Sequence, residues 1–475
     1  MVKKIGLIFG PLSFIFLNSL SLENIDEKAS IVIALAAWMI IWWISEAVSI
    51  SVTSLLPLVI FPLFQVMEIN QVGANYGSSI VFLFFGGFVL ALALEKVNLH
   101  KRIALTIINK TGTSPNRVIL GFMIATAFMS MWISNTASTV VMLPIALSVI
   151  NLLIDNKKGG AKSEKNFSLS VMLGIAFSAN SGGIATVIGT PPNSVLIGLL
   201  ENEYNIEISF LNWMVIGLPF SMILLAIIYL LLTRVLFRNE NIKFKSSSQL
   251  ISNKLNELGK LSKKEMHVLI IFGITVFLWI FRTVINKLIP GFKLSDTIIS
   301  VGCAISLFAI PSKFSKPQFI LNWNDTKNLA WGILILFGGG LALAKGMSET
   351  GIVSLITDYI AGANLNIIVT VSLLITMMLF MTELMSNVAL VAVLAPVMAG
   401  IAFGLDIPIL HLLIPITMAS SCAFMLPMAT PPNAIVFASG YVKVSEMVRA
   451  GILINILSIL LLILMYRFFI PMIFN

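Results

Sequence analysis

The chain reads as long apolar runs separated by short polar segments, and the grain of the pattern is helical rather than alternating. Ile31 to Trp43, Leu211 to Leu232 and Ile452 to Met465 carry no charge. They are too uniform for the strands of a membrane barrel, which alternate over about ten residues. A bilayer-crossing helix takes about 20 apolar residues. On that measure the pattern predicts eleven spans, near residues 5–22, 29–45, 47–66, 77–98, 168–200, 211–236, 266–286, 294–311, 329–356, 408–440 and 448–472. Two more stretches, 116–154 and 366–403, are each long enough for two helices, yet a Ser-Asn sequence interrupts each where a hydrophilic loop would be needed to cross. These are predicted to be re-entrant hairpins, because backbone bent at membrane depth is tolerated where it lines a cavity. The expected fold is an all-α polytopic membrane protein.

Composition agrees. Of 475 residues 58% are hydrophobic and only 11% charged, against about 25% charged in a soluble domain, and the mean hydropathy is +1.00. The net charge of +9 does not call for nucleic acid, because the Lys and Arg residues lie between the apolar spans. With the N-terminus in the cytoplasm and each hairpin returned to the side it entered from, 24 of the 30 Lys and Arg residues fall in inner segments. The outer loops at 67–76, 201–210, 361–365 and 404–407 hold none, which is the cytoplasmic bias of membrane proteins. Two full spans in place of each hairpin preserve the same parity, so the missing far-side loop is what favours hairpins. This topology puts the C-terminus outside and the protein in the cell (inner) membrane. Lys3 and Lys4 ahead of Ile5 to Leu20 lack a small-residue cleavage site, so that run is read as a retained first span. Cys303 and Cys422 both sit in apolar stretches and support neither a disulfide framework nor a metal site.

The chain also contains one unit twice. Phe85-Gly86-Gly87 matches Phe337-Gly338-Gly339, FMSMWISN at 128–135 matches FMTELMSN at 380–387, and GTPPN at 189–193 matches ATPPN at 429–433. Phe85 to Ser134 and Phe337 to Ser386 both span 49 residues. Ser134 to Thr190 is 56 residues and Ser386 to Thr430 is 44. The difference of 12 is the size of the basic insertion Asp155 to Asn166. An odd number of predicted crossings separates the units, so the copies are inverted, an arrangement many secondary transporters share.

The repeated motifs carry a specific chemistry. Ser130, Ser134, Asn135, Thr136, Ser138 and Thr139 place hydroxyls and an amide between two apolar helices, with no charge from Val118 to Ile154. Helix starts offer backbone N–H groups to carboxylates, while hydroxyl and carbonyl oxygens coordinate hard cations. Two prolines in series break a helix and leave carbonyls unpaired before Thr190 and Thr430. Small residues and prolines also serve plain packing. For Ser181-Gly182-Gly183 and Gly86-Gly87 both readings stand. Glu383 is the outstanding buried acid, either functional or held by backbone donors or Lys345. With no Lys or Arg at the tips or breaks, neutralising an anion falls to helix ends and co-bound cations. His100, His267 and His411 show no convergence, and no hydrolase or nucleotide-binding motif is present, so an enzyme is not expected.

SNTAST at 134–139, TELMSN at 382–387, GTPPN and ATPPNA, with FGGFVLALALEKVNLHKRIAL at 85–105 and FGGGLALAKG at 337–346, resemble the divalent anion/sodium symporter family over nearly the whole chain. The resemblance implies a homodimer in the lipid bilayer that moves small dicarboxylate or tricarboxylate anions with Na+ by an elevator mechanism. It implies one sodium site at Ser130, Ser134, Asn135 and Gly189 and a second at Thr382, Met385, Asn387 and Ala429. Substrate would meet Asn135, Thr136, Thr190 and Pro191 on one side and Asn387, Val388, Thr430 and Pro431 on the other. The second tip departs from the family pattern, with Val388 in place of a threonine, and relatives of this family include sodium-independent exchangers. The expected divisions are 1–110, the first span and scaffold of repeat 1; 111–238, its transport part; 239–265, a cytoplasmic linker; 266–360, the scaffold of repeat 2; and 361–475, its transport part.

Overall fold

The computed structural model describes residues 2–20, 25–112, 114–155, 161–238, 247–289, 291, 293–311, 318–363 and 366–474. Among them every regular element is a helix. Among the described residues seven helices are long and apolar enough to cross a membrane: Glu27–Ser45, Ile69–Lys96, Phe210–Leu236, Lys263–Leu288, Trp331–Glu349, Asn387–Gly404 and Val444–Ile473. Several other predicted spans are shorter because the chain breaks them. The stretch 47–66 is two pieces, Ile50–Thr53 and Leu56–Leu63. The stretch 329–356 ends at Glu349, where Gly351 at φ 76° turns the chain into a separate helix, Ile352–Ala361. Asn98 at φ 58° makes the corresponding turn before Leu99–Thr111 in the first half.

The inverted repeat is visible element by element. Each half has a Gly-Gly helix (Ser79–Lys96; Trp331–Glu349), a short helix, and a hairpin (Pro115–Ser130 with Asn135–Asp155; Ile367–Thr382 with Asn387–Gly404). A broken pair follows (Ala161–Gly183 with Pro191–Tyr204; Ile409–Ser420 with Pro431–Ala438). Last comes a long span that closes in a turn of π-helix, Leu231–Leu236 or Met465–Phe469. The Gly-Gly helices meet through Phe84 and Phe337, edge to face at 4.8 Å. Their glycines serve packing: a Cβ at Gly86 would lie 2.0 Å from Ser300 Oγ, and one at Gly339 2.2 Å from the Ser54 carbonyl.

Part of the predicted linker is helical. Residues 239–246 lie outside the described residues, as do 156–160 of the basic insertion. Beyond them Ser247–Glu257 is a helix whose Ile251 is buried. Arg102 holds its end by donating to Glu265 at 2.7 Å and to the carbonyls of Leu258 and Gly259, both at 2.9 Å. The broken helices run through the centre of the molecule. From Phe167 to Leu200 every residue but Pro191 is buried, so the hydroxyls and amides of this stretch need internal partners.

Candidate functional site

Each hairpin exit helix begins on its asparagine, Asn135 or Asn387, so the positive end of each helix points at the tip. The same five-residue step then recurs in both halves. Ser130 Oγ lies in hydrogen-bonding contact with Asn135 Oδ1 and donates to the Ala179 carbonyl at 2.7 Å. Thr382 Oγ1 lies in hydrogen-bonding contact with Asn387 Oδ1 at 2.7 Å and donates to the Ser420 carbonyl at 2.6 Å. Thus each tip is seated against the end of the helix that precedes its own half's break.

In the first half one terminal atom of the Asn135 amide faces three oxygens: the Ser130 hydroxyl, the Ala179 carbonyl at 3.1 Å and the Gly189 carbonyl at 3.3 Å. With nitrogen in that place the amide bonds all three. With oxygen there, oxygens alone converge on one small volume, the donor set a hard cation takes. Gly183 makes room for this, since a Cβ would sit 2.5 Å from Asn135 Oδ1 and 3.0 Å from the Gly189 carbonyl. Gly182 serves packing instead, lying against the backbone of Ala127.

The breaks keep their shape through side chains. Asn193 Nδ2 donates to the carbonyls of Gly183, Ile184 and Thr186 at 3.4, 3.3 and 2.9 Å. Asn433 Nδ2 donates to those of Ala423 and Leu426, both at 3.1 Å. The Thr-Pro-Pro-Asn motif is therefore self-supporting: the prolines break the ladder and the asparagine takes up carbonyls left over. Thr190 and Thr430 are both buried at the N-caps of the restarting helices, with Pro191 and Pro431 at the first helical position, where a missing N–H costs nothing.

The two halves interlock. Helix Pro431–Ala438 packs on Asn135–Asp155 of the opposite half, and Pro191–Tyr204 packs on Asn387–Gly404. Asn180 Nδ2 crosses between the breaks to Thr430 Oγ1 at 3.0 Å and the Ala423 carbonyl at 3.2 Å. Tyr441 Oη donates to Asn151 at 2.8 Å, and Lys165 pairs with Glu446 at 2.6 Å.

Of the residues expected at the site, Ser130, Asn135 and Gly189 converge directly, as do Thr382 and Asn387. Ser134 lies exposed at its tip, and its hydroxyl accepts from the Ala137 N–H at 3.1 Å. Thr136, Met385 and Val388 are half-buried along the tips. Ala429 is buried at the end of the second break, its N–H on the Leu426 carbonyl at 3.2 Å. Glu383 is held by backbone donors, while Lys345 pairs with Glu349 at 3.8 Å. Asn180, Thr186 and Asn455 were not foreseen. Thr186 and Asn455 are lone polar residues in apolar runs and Asn180 lies between Ser178 and Ser181, and neither signal separates a cross-brace from a packing residue.

An inverted-repeat helical membrane protein with facing hairpins and broken helices belongs to the secondary-transporter class. Comparison with known proteins makes this more specific. A family model described as the sodium:sulfate symporter transmembrane region matches residues 7–475. The sodium-dependent dicarboxylate transporter SdcS of Staphylococcus saprophyticus is 41% identical, over 99% of this chain and 92% of that protein. SdcS of Staphylococcus aureus strain USA300 is 40% identical over the same shares. The chain belongs to this family, the divalent anion/sodium symporters. Among solved structures it resembles the YdaH transporter of Alcanivorax borkumensis, with a TM-score of 0.53 at 10% identity over 85% of this chain and 87% of that one. It also resembles MtrF of Neisseria gonorrhoeae, with a TM-score of 0.54 at 13% identity over 98% of both chains. At these identities the likeness carries the fold alone.

Proposed function

We propose that this protein is a sodium-coupled symporter of small dicarboxylates in the cell membrane. The observation that carries the reading is the convergence of the Ser130 hydroxyl, the Asn135 amide and the Ala179 and Gly189 carbonyls at one tip, with the Thr382–Asn387 step repeated at the other. Sodium is a co-transported substrate here, held by neutral oxygens. A dicarboxylate would meet helix starts at Asn135 and Asn387 and hydroxyls at Thr136, Thr190 and Thr430, with Pro191, Val388 and Pro431 lining the rest. No Lys or Arg lies at the tips or breaks, so the bound cations and the helix ends supply the positive field that the anion needs. The relatives named for sodium-dependent dicarboxylate transport support both halves of the reading. The protein works as a homodimer with a cytoplasmic N-terminus and an outer C-terminus. The transport parts 111–238 and 361–475 slide against scaffolds 1–110 and 266–360, joined by the linker 239–265.

Uptake of labelled succinate into proteoliposomes tests this, with and without a sodium gradient and with and without internal dicarboxylate. Symport predicts concentrative uptake that needs external sodium and no internal substrate. Uptake that needs internal dicarboxylate and ignores sodium would make the protein an exchanger. A preference for sulfate would change the substrate class, and flux that never saturates would indicate a channel.

A further inference from the structure

The coupling scheme leaves one buried charge unused. Glu383 is 3% exposed, and four donors close on its carboxylate. They are the backbone N–H groups of Phe424, Met425 and Leu426 at 2.8, 2.9 and 3.1 Å, and Asn455 Nδ2 at 2.7 Å. All four partners donate, the set that a carboxylate accepts. The three N–H groups belong to the second break, where the helical ladder has stopped and no carbonyl one turn back serves them. Gly451 lets the last span come close enough to complete the arrangement. A Cβ there would lie 2.3 Å from the Phe424 carbonyl, and Asn455 is one turn further along the same helix.

The place of this tie gives it meaning. Thr382, the residue before Glu383, bonds Asn387 and the Ser420 carbonyl, and Ala429 follows the gripped backbone by one turn. Glu383 therefore joins the hairpin tip to the break between the groups assigned above to the second sodium site. In the first half the equivalent position, 252 residues earlier by the repeat offset, is Met131. There the tie is neutral: Thr186 Oγ1 donates to the Met131 carbonyl at 2.6 Å and accepts from the Gly189 N–H at 3.0 Å.

We infer that Glu383 is a positioning residue, whose carboxylate fixes the spacing between the Thr382, Met385 and Asn387 oxygens and the Ala429 carbonyl, and so sets the affinity of the second site for sodium. It neither coordinates the ion nor carries a proton in this scheme. The inference rests on the sodium-coupled reading above.

The test is the sodium activation curve of succinate uptake in proteoliposomes for the parent protein, Glu383→Gln and Asn455→Ala. Glu383→Gln faces the three N–H groups with one acceptor fewer. It is expected to raise the half-saturating sodium concentration by about tenfold while the maximal rate at saturating sodium falls less. Asn455→Ala leaves the carboxylate on its three N–H groups with one donor fewer, and is expected to shift the curve the same way by about threefold. It keeps the test open should Glu383→Gln fail to accumulate. A sodium-activated parent with unshifted curves in the variants, whether or not the maximal rate drops, would overturn this inference alone. A parent insensitive to sodium would overturn both this inference and the symport reading.

Discussion

In the first half the break between Gly183 and Pro191 is buried throughout, whereas in the second Met425, Leu426 and Pro427 are half-buried and Met428 is 76% exposed. The first is held by neutral side-chain donors aimed at carbonyls: Trp213 Nε1 on Ile184 at 2.9 Å, Ser194 on Val187 at 2.8 Å and Thr186 on Met131. The second is held largely from the other polarity, by a carboxylate that collects N–H groups. Neutral hydrogen bonds are worth about 1 kcal/mol net, and those to a charged group about twice that. The more exposed break thus has the stronger tie. One motif, used twice in opposite orientations, is free to diverge in its supports as long as the Ser/Thr-to-Asn step survives.

The largest expected effect removes that shared step. Asn135→Ala and Asn387→Ala should each abolish succinate uptake while membrane abundance, read by immunoblot, stays near that of the parent. Loss of the protein instead would make these residues structural.

Gly183→Ala breaks the comparison on one side only. A methyl group 2.5 Å from Asn135 Oδ1 displaces the amide, and the half-saturating sodium concentration should rise by at least about tenfold. The second half already carries Ala423 at the matching place, so Ala423→Gly should stay within about twofold. Equal effects from the two variants would mean the half-sites are not built differently.

Val388→Thr restores the hydroxyl that the first tip has at Thr136 and should lower the KM for succinate by about threefold to tenfold. An unchanged KM would place the substrate away from the second tip. Thr186→Val removes the neutral tie and should shift sodium activation by no more than about threefold, less than Glu383→Gln. A larger shift than that would reverse the ranking of the two supports.

Much of this was legible in the sequence because the repeat is nearly free of gaps. The 49-residue spacing fixed both hairpins, and Thr-Pro-Pro-Asn marked both breaks. What stayed hidden depends on contacts between residues far apart in the chain. Glu383 was conspicuous as a charge, but its partners lie 41 to 72 residues later and three of them are backbone groups with no side-chain signature. Asn180 gave no hint that it crosses to Thr430, 250 residues away. The glycines divided only once their neighbours were known: Gly86 and Gly182 allow helices to touch, and Gly183 opens space beside Asn135. The turn at Gly351 escaped because the apolar residues from Ile352 to Ile356 extend the span's pattern past the short polar stretch Ser348-Glu349-Thr350.

On the proposed reading, two separate sodium sites, one per inverted half, act on a single transport event. The steady-state rate of succinate uptake by the purified protein in proteoliposomes, measured against external sodium at fixed membrane potential, tests it most directly. Two coupled sites predict a sigmoidal curve with a Hill coefficient approaching about two. A hyperbolic curve with a coefficient of about one, or uptake independent of sodium, would contradict the account.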